Sequence, residues 1–171
     1  MSGSGSSESG GGSSSRGRLS GTSSGSGDAW VYGPDGARFW GVYGAAGLLV
    51  HHPDRGVLLQ HRAIWSHQGG TWGVPGGARH ENESAFDAAV REAGEEAGVP
   101  AHLLRLNFSS VVDLGFWSYT TVVVRAIEPF EPVISDTESI ALRWVPPAEV
   151  ELLPLHPGFA ASWPALRGRL A

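Results

Sequence analysis

A helix of unusual charge constrains this chain more than any other feature. Ser84 precedes a stretch whose apolar residues recur at helical spacing, and Gly98 followed by Pro100 is placed to end it. We therefore predict a helix in this segment, with Ser84 and Asp87 in a capping-box arrangement at its start. Its predicted apolar face consists of Phe86, Val90, Ala93 and Ala97.

The opposite face of this helix carries three glutamates. Glu92, Glu95 and Glu96 stand at i, i+3 and i+4, so their side chains are neighbours. Like charges at this spacing destabilise a bare helix by about 0.2–0.5 kcal/mol per pair, and near a C-terminus they oppose the helix dipole. A bound cation would remove this penalty, and oxygen-only ligands favour Mg²⁺ or Mn²⁺ over zinc. A solvated acidic surface is the alternative interpretation.

The glutamates belong to a longer pattern. Gly77 is followed after five residues by Glu83, and after seven more by an Arg-Glu-Ala-x-Glu-Glu-x-Gly-Val run over residues 91–99. This spacing resembles the Nudix box, the signature of the Nudix hydrolases, and every fixed Gly, Glu and Arg is present. Ala93 is one soft departure, because a bulkier aliphatic residue is usual there. Since alanine is still apolar, the departure concerns packing rather than chemistry.

The resemblance implies a hydrolase that cleaves a phosphoanhydride bond in a nucleoside diphosphate linked to a further group X. It implies Mg²⁺ (or Mn²⁺) as the cofactor, and Glu83 with Arg91 as an ion pair that positions Glu92. The general base is either Glu138 or a box glutamate. An ordinary loop carboxylate is the alternative interpretation of Glu138. The metal ligands implied are the carbonyl of Gly76 and the carboxylates of Glu92, Glu95, Glu96 and Glu138.

Three further residues are candidates for substrate binding. Arg62 ends a predicted strand where Nudix nucleotide pyrophosphatases carry a basic residue that contacts substrate; a surface charge is the alternative. Trp65 lies in the loop of residues 63–71, and Trp117 shares a strand face with Tyr119. Either tryptophan could stack on a nucleobase, and packing against the domain is the alternative for both.

Subgroups of the family carry additional sequence motifs downstream of the box, and these motifs indicate the substrate class. The motifs of the ADP-ribose and NADH enzymes are missing from this sequence. The leading prediction is therefore a MutT-like (d)NTP pyrophosphatase that releases NMP and pyrophosphate. The alternatives are a nucleotide-sugar or dinucleotide hydrolase and a non-catalytic, effector-binding Nudix module. An isomerase resembling isopentenyl-diphosphate isomerase is disfavoured, because that enzyme uses a catalytic cysteine and this chain has none.

The chain divides into a tail and one domain. Residues 1–27 are almost entirely Gly and Ser, cannot bury enough surface to offset their chain entropy, and are predicted to be disordered. Residues 28–171 are predicted to form one Nudix domain of the α/β class. The resemblance implies an α/β/α sandwich with a mixed β-sheet. Strands are predicted at 39–50, 57–62, 104–114, 116–127 and 142–145, a second helix from 147, and a helix broken at Pro164 over 158–170.

The amino-acid composition limits the kinds of partner that this chain is expected to bind. A net charge of −5 argues against polymeric nucleic acid and membrane surfaces as partners. No run of about 18 apolar residues is present, which argues against a membrane span. The lack of cysteine is typical of a reducing compartment. We therefore expect a cytoplasmic enzyme acting on a small nucleotide, with homodimer formation left open.

Overall fold

The computed structural model describes residues 25–170. This part of the chain forms two α-helices and nine strands, with 3-10 turns at Ala101–Leu103 and Val150–Leu152. The helices are α1 (Ala85–Ala97) and α2 (Pro157–Arg167). The strands are β1 (Trp30–Tyr32), β2 (Arg38–Trp40), β3 (Ala45–His52), β4 (Gly56–Arg62), β5 (Trp72–Gly73), β6 (Gly76–Ala78), β7 (Leu104–Asp113), β8 (Ser118–Ala126) and β9 (Ser139–Val145).

Seven of the described strands form one mixed sheet. Its main order is β5-β4-β3-β8-β7, with β6 paired to β3 and β9 paired to β4. The β3–β8 pair is parallel, and the other pairs are antiparallel. Strands β1 and β2 form a separate hairpin. The strands predicted at 57–62, 104–114 and 116–127 correspond to β4, β7 and β8, and β7 and β8 are antiparallel neighbours.

Strands β3 and β4 separate soon after the turn that joins them. They pair only at His51–Val57 and His52–Gly56. Beyond these pairs, β6 occupies the edge of β3 and β5 occupies the edge of β4. The two short strands and the turn between them thus fill a gap in the middle of the sheet.

The sheet is covered on both faces, as the sandwich prediction requires. Val122 and Val124 of β8 pack in the cluster that includes the alanines of α1, whereas Val123 packs in the cluster with α2. All three valines are fully buried. Their continuous apolar run agrees with a central strand that has no solvent-facing side.

Helix α1 has the predicted ends. The Ser84 hydroxyl accepts a hydrogen bond from the Asp87 amide at 3.0 Å, and Gly98 ends the helix at φ 60° with its amide bonded to the Gly94 carbonyl. The prediction that Phe86 belongs to the buried face is wrong, since it is 38% exposed. Ala88, Ala89 and Glu96 are buried instead. Compared with the predicted orientation, α1 is rotated about its axis so that these three residues face the sheet. In this orientation the Glu96 carboxylate reaches the turn at Gly76.

Three local predictions need correction. The single strand predicted at 39–50 is divided between β2 and β3 by a turn in which Gly41 and Gly44 have φ of 102° and 84°. The predicted helix from 147 is a turn followed by a 3-10 turn, and α2 begins only at Pro157. Helix α2 is also continuous through Pro164, because burial of Trp163 and Leu166 offsets the roughly 3 kcal/mol that an interior proline costs.

The predicted tail lies mostly outside the described residues. Disorder of residues 1–24 therefore stays a prediction. The last residues assigned to the tail instead contact the domain: the Gly25 carbonyl accepts from the Glu81 amide at 2.8 Å, and the Gly27 carbonyl accepts from Val42 at 3.0 Å. The predicted boundary at residue 27 stays a prediction. Neither described helix is long and apolar enough to cross a membrane.

Two glycines of α1 provide a test of its C-terminal cap. Gly98→Ala should lower the free energy of unfolding by about 1–2 kcal/mol, because a Cβ disfavours its left-handed conformation. Gly94→Ala is the matched control in the helix interior, where the new Cβ would meet only the Val99 carbonyl oxygen at 3.9 Å. We expect Gly94→Ala to raise the free energy of unfolding by roughly 0.5–1 kcal/mol. Urea denaturation measures both, and equal signs would contradict this assignment of the cap.

Candidate active site

The glutamate face of α1 lies against the gap between β3 and β4. Gly76 and Gly77, at the start of β6, pair with Gly47 and Ala46 of β3 inside this gap. The Gly76 amide donates a hydrogen bond to Glu96 Oε2 at 3.1 Å. The C-terminal half of the helix and the glycine turn therefore form one surface.

Glu96 is the most buried carboxylate of the group. It is 7% exposed, and Oε2 also accepts a hydrogen bond from Gln60 Nε2 at 3.3 Å. Burial raises the pKa of Glu96 to about 8, and the neighbouring negative charge of Glu92 adds to the shift. The folded domain therefore contains a carboxyl group that holds its proton near neutral pH unless a cation compensates the charge.

Glu92 requires a glycine beside it. A Cβ built on Gly77 would lie 2.7 Å from the Glu92 carboxylate, closer than side chains tolerate. Burial raises the pKa of Glu92, and the adjacent Arg91 opposes that shift. The glycine in the box thus provides room for a carboxylate packed directly against the backbone.

Arg91 and Glu83 form the ion pair that the box pattern implies. Arg91 donates from Nε and Nη2 to the two Glu83 oxygens at 2.8 and 3.0 Å, and from Nη1 to Glu92 Oε1 at 2.7 Å. It also donates from Nη2 to the Ala78 carbonyl at 3.1 Å. These bonds to Arg91 lower the pKa of Glu83 to about 2. The Arg91 guanidinium is therefore bonded to Glu83 on one side and to Glu92 on the other, and it fixes the position of Glu92. Glu95 is 61% exposed and lies 3.5 Å from Nη1.

A loop before β9 adds two more carboxylates. Oxygens of Asp136, Glu138 and Glu96 all lie within 4.8 Å of one another. Asp136 Oδ1 accepts hydrogen bonds from the amides of Glu138 and Ser139, both at 3.2 Å, which shapes the loop. Glu138 was predicted from the sequence, whereas Asp136 was missed. Its signal was its position two residues before Glu138 in the same polar loop.

Gln60 and Ser139 connect these parts. Gln60 Nε2 donates to Ser139 Oγ at 2.7 Å as well as to Glu96, and Ser139 Oγ donates to Asp136 Oδ1 at 3.1 Å. Both residues are buried. Sequence reasoning missed them because an isolated glutamine in a strand gives no local signal of function.

The donor set fits a divalent cation. Every side-chain donor in the group is a carboxylate, the ligand type of hard cations such as Mg²⁺ and Mn²⁺. Helix α1 has no basic residue in its last turn, so the glutamates there are opposed by the helix dipole as well as by one another. The residues that could hold an ion are Glu92, Glu95, Glu96, Asp136, Glu138 and the carbonyl of Gly76.

The predicted substrate-binding residues have different environments. Arg62 lies opposite Ser139 in the β4–β9 pair, at a bulge, and its Nε donates to the His67 carbonyl at 3.1 Å. The Ala63 amide donates to the Glu138 carbonyl at 2.7 Å, so Arg62 is adjacent to the acidic loop. Trp65 is 75% exposed. Trp117 is partly buried, and its Nε1 donates to the Trp40 carbonyl at 3.1 Å.

Comparison with known proteins agrees with this geometry. A family model described as the NUDIX domain matches residues 43–166, which include the whole acidic group. The chain belongs to the Nudix family. It is 53% identical over 153 residues to a Mycobacterium tuberculosis protein named "Putative 8-oxo-dGTP diphosphatase 3", covering 84% of this chain and 70% of that protein.

Solved Nudix structures share the fold. A Nudix hydrolase from M. smegmatis, RenU, is 52% identical with a TM-score of 0.75, covering 83% of this chain and 94% of that chain. A MutT protein from Methanosarcina mazei Go1 is 20% identical with a TM-score of 0.57, covering 73% and 91%. At that identity the likeness concerns the fold alone. These matches confirm the predicted Nudix fold and the prediction of a Nudix-type pyrophosphohydrolase at the level of the family.

Gly77 provides a test of the candidate metal site. Gly77→Ala should weaken Mn²⁺ binding by about 10–100-fold, because the new Cβ displaces the Glu92 carboxylate. Gly73→Ala is the matched control, since its Cβ would meet only His156 Cβ at 3.5 Å, an ordinary contact. Calorimetric titration with Mn²⁺ measures both variants. Equal affinities in the two variants would contradict a role for Glu92 as a ligand.

The raised pKa of Glu96 predicts a pH dependence of the metal-free protein. The folded-state pKa is about 8 and the ordinary value is 4.5, so between these pH values the native state retains a proton that the unfolded chain has lost. The free energy of unfolding should therefore fall as pH rises from 4.5 to 8, by at most about 1.4 kcal/mol per unit. Glu96→Gln should remove this contribution. Parallel stability curves for the two proteins in EDTA would refute the burial argument.

Proposed function

We propose that this Nudix protein is a nucleoside triphosphate pyrophosphatase, which converts a (d)NTP to the nucleoside monophosphate and pyrophosphate. The observation that supports this best is the convergence of the α1 glutamates with Asp136 and Glu138 at the glycine turn. The name of the M. tuberculosis relative supports 8-oxo-dGTP as the first substrate to test.

Mg²⁺ is the proposed cofactor, held by the carboxylates of Glu92, Glu95, Glu96, Asp136 and Glu138 with the Gly76 carbonyl. When bound, it would neutralise phosphate charge and lower the pKa of the attacking water. The protein's own contribution is rigid placement. Arg91 holds Glu92 through the bonds described above, and Gln60 holds Glu96, so that the acidic group needs little rearrangement during turnover.

We assign removal of the proton from water to Glu138. Its side chain is exposed on a loop, and an oxygen of its carboxylate lies within 4.8 Å of Glu96 and Asp136. Glu96 is less suited, because it is buried and its Oε2 accepts two hydrogen bonds. An exposed carboxylate beside the reacting water meets the distance requirement of a general base more readily.

Arg62 and Trp65 are the proposed contacts to the nucleotide. Arg62 carries a permanent positive charge next to the acidic loop, which suits a phosphate oxygen. Trp65 follows shortly after it in the same loop, and a tryptophan that is mostly exposed has a free face for a nucleobase. Trp117 has less support, because its ring packs against Phe39 with centroids 4.8 Å apart.

Assembly and location complete the proposal. We propose that the protein is cytoplasmic, because its sequence contains no cysteine. A homodimer is a second hypothesis. Sedimentation velocity on the full chain tests the dimer, and fractionation of cells tests the location.

A nucleotide panel with product identification tests the activity. With Mg²⁺ the protein should convert NTPs, dNTPs or 8-oxo-dGTP to the monophosphate and pyrophosphate, and Glu138→Gln should lower kcat by about 10²–10⁴-fold. Glu128→Gln is the matched control, because Glu128 is exposed and outside the acidic group. Turnover of ADP-ribose or a dinucleotide with inert triphosphates would overturn the proposed substrate. The absence of any turnover would favour an effector-binding module.

A further inference from the structure

A group of arginines lies at the other end of the sheet from the glutamates. His51 of β3, Arg125 of β8 and Arg105 of β7 are register partners, so they form a row across three strands on one face. Val123, two residues before Arg125, packs in the α2 cluster, which places the row on the α2 face. Along β3, His51 is four residues from Gly47, or roughly 13 Å from the glycine turn.

This row forms one wall of a groove beside the C-terminal end of α2. The groove has a volume of about 700 Å³. Arg167 and Leu170 line it from the C-terminal segment, and Leu106 and Pro147 add apolar surface. Its volume falls within the range of small-molecule sites, which run from about 300 to 1,000 Å³. We call it the arginine groove.

Two of the three arginines in the arginine groove have no acidic partner among the described residues. Among residues 25–170 no salt bridge involves Arg105 or Arg125, and Arg167 reaches Glu151 only at 3.8 Å. Directly opposed like charges destabilise a strand pair, so the Arg105–Arg125 pair carries a cost. Partial burial lowers the pKa of His51, and the positive charge of Arg125 adds to this shift. A bound anion would remove this repulsion in a chain whose net charge is −5.

The local strand geometry keeps Arg105 on this face. The β7–β8 register shifts between Leu106 and Phe108, so Asn107 is an extra residue in β7 and lines the groove. Because of this bulge, Arg105 and Phe108 face the same side although they are three residues apart. The Arg169 guanidinium lies 3.7 Å over the Phe108 ring and adds a further positive charge nearby.

We propose that the arginine groove binds a phosphate-bearing small molecule, with its phosphates on Arg105, Arg125 and Arg167. Guanidinium groups match phosphate oxygens with paired hydrogen bonds, and Arg is preferred wherever such pairing is required. The apolar walls at Leu106 and Pro147 would contact the carbon part of the ligand. This site is separate from the acidic centre and goes beyond the proposed hydrolysis. The acidic net charge and the compact shape of the arginine groove favour a small ligand over a nucleic acid.

Calorimetry of the full chain with inorganic pyrophosphate tests the proposal. EDTA is present, so that the carboxylates of the acidic centre repel the anion. The wild type should bind pyrophosphate, and the Arg105→Gln/Arg125→Gln double variant should bind at least about 10-fold more weakly. Arg143→Gln is the matched control, because Arg143 is an exposed strand arginine outside the groove. Equal binding by the double variant and the control would overturn the proposal.

Two further arms identify the source of the anion. If ADP binds more tightly than pyrophosphate, the ligand is a nucleotide, and if the two are equal it is a free phosphate compound. Tighter binding of a single-stranded oligonucleotide than of ADP would overturn the small-ligand proposal. Loss of pyrophosphate binding in Arg62→Ala but not in the double variant would assign the anion to the active site and overturn the proposal as well.

Folding of the variant is checked separately. Removing opposed like charges should leave the Tm of the double variant equal to or above that of the wild type, while pyrophosphate raises the Tm of the wild type only. If the double variant unfolds, the single variant Arg125→Gln replaces it. The acidic centre lies at the other end of the sheet. A protein that fails to hydrolyse nucleotides would therefore still bind pyrophosphate in the arginine groove.

Discussion

The burial of one carboxylate, Glu96, determines the arrangement of everything around it. A charge without a partner in the interior is costly, and burial therefore raises the pKa of this group. Within the described part of the chain, the Gly76 amide and the Gln60 side chain donate to Glu96, and no basic group does. The site is thus held together by hydrogen bonds and remains short of positive charge. That shortage is the physical basis of the proposed affinity for a divalent cation.

The backbone geometry makes this burial possible. Because β3 and β4 separate after their turn, the glycine turn enters the sheet and its amide points at the helix. Small alanines on α1 let the helix lie close to β3 and β6, and Gly77 leaves room for the Glu92 carboxylate. A larger side chain at any of these places would move the carboxylates away from the turn. The fold therefore supports the chemistry through the absence of side chains as much as through their presence.

The charges of the domain are separated along the sheet. Arg91 is bonded to Glu92 and lies 3.5 Å from Glu95, and Glu83 holds it from the other side. The arginine groove lies at the opposite end, on the α2 face. At each end of the sheet, groups of like charge repel one another. A bound ligand of opposite charge would remove this repulsion. The two ends share the central strands β3 and β8 and hence a rigid scaffold.

The sequence by itself determined the helix with its caps, the strands at 104–114 and 116–127 and the box glutamates, because these depend on local spacing and on fixed residue types. It also indicated Arg62 and Glu138, through their resemblance to a family. The rotation that exposes Phe86, the continuity of α2 through Pro164, and the presence of Asp136, Gln60 and Ser139 at the site were decided only by the tertiary structure. Each depends on contacts between segments far apart in the chain, and the energy of such contacts outweighs the local preferences that a sequence pattern records.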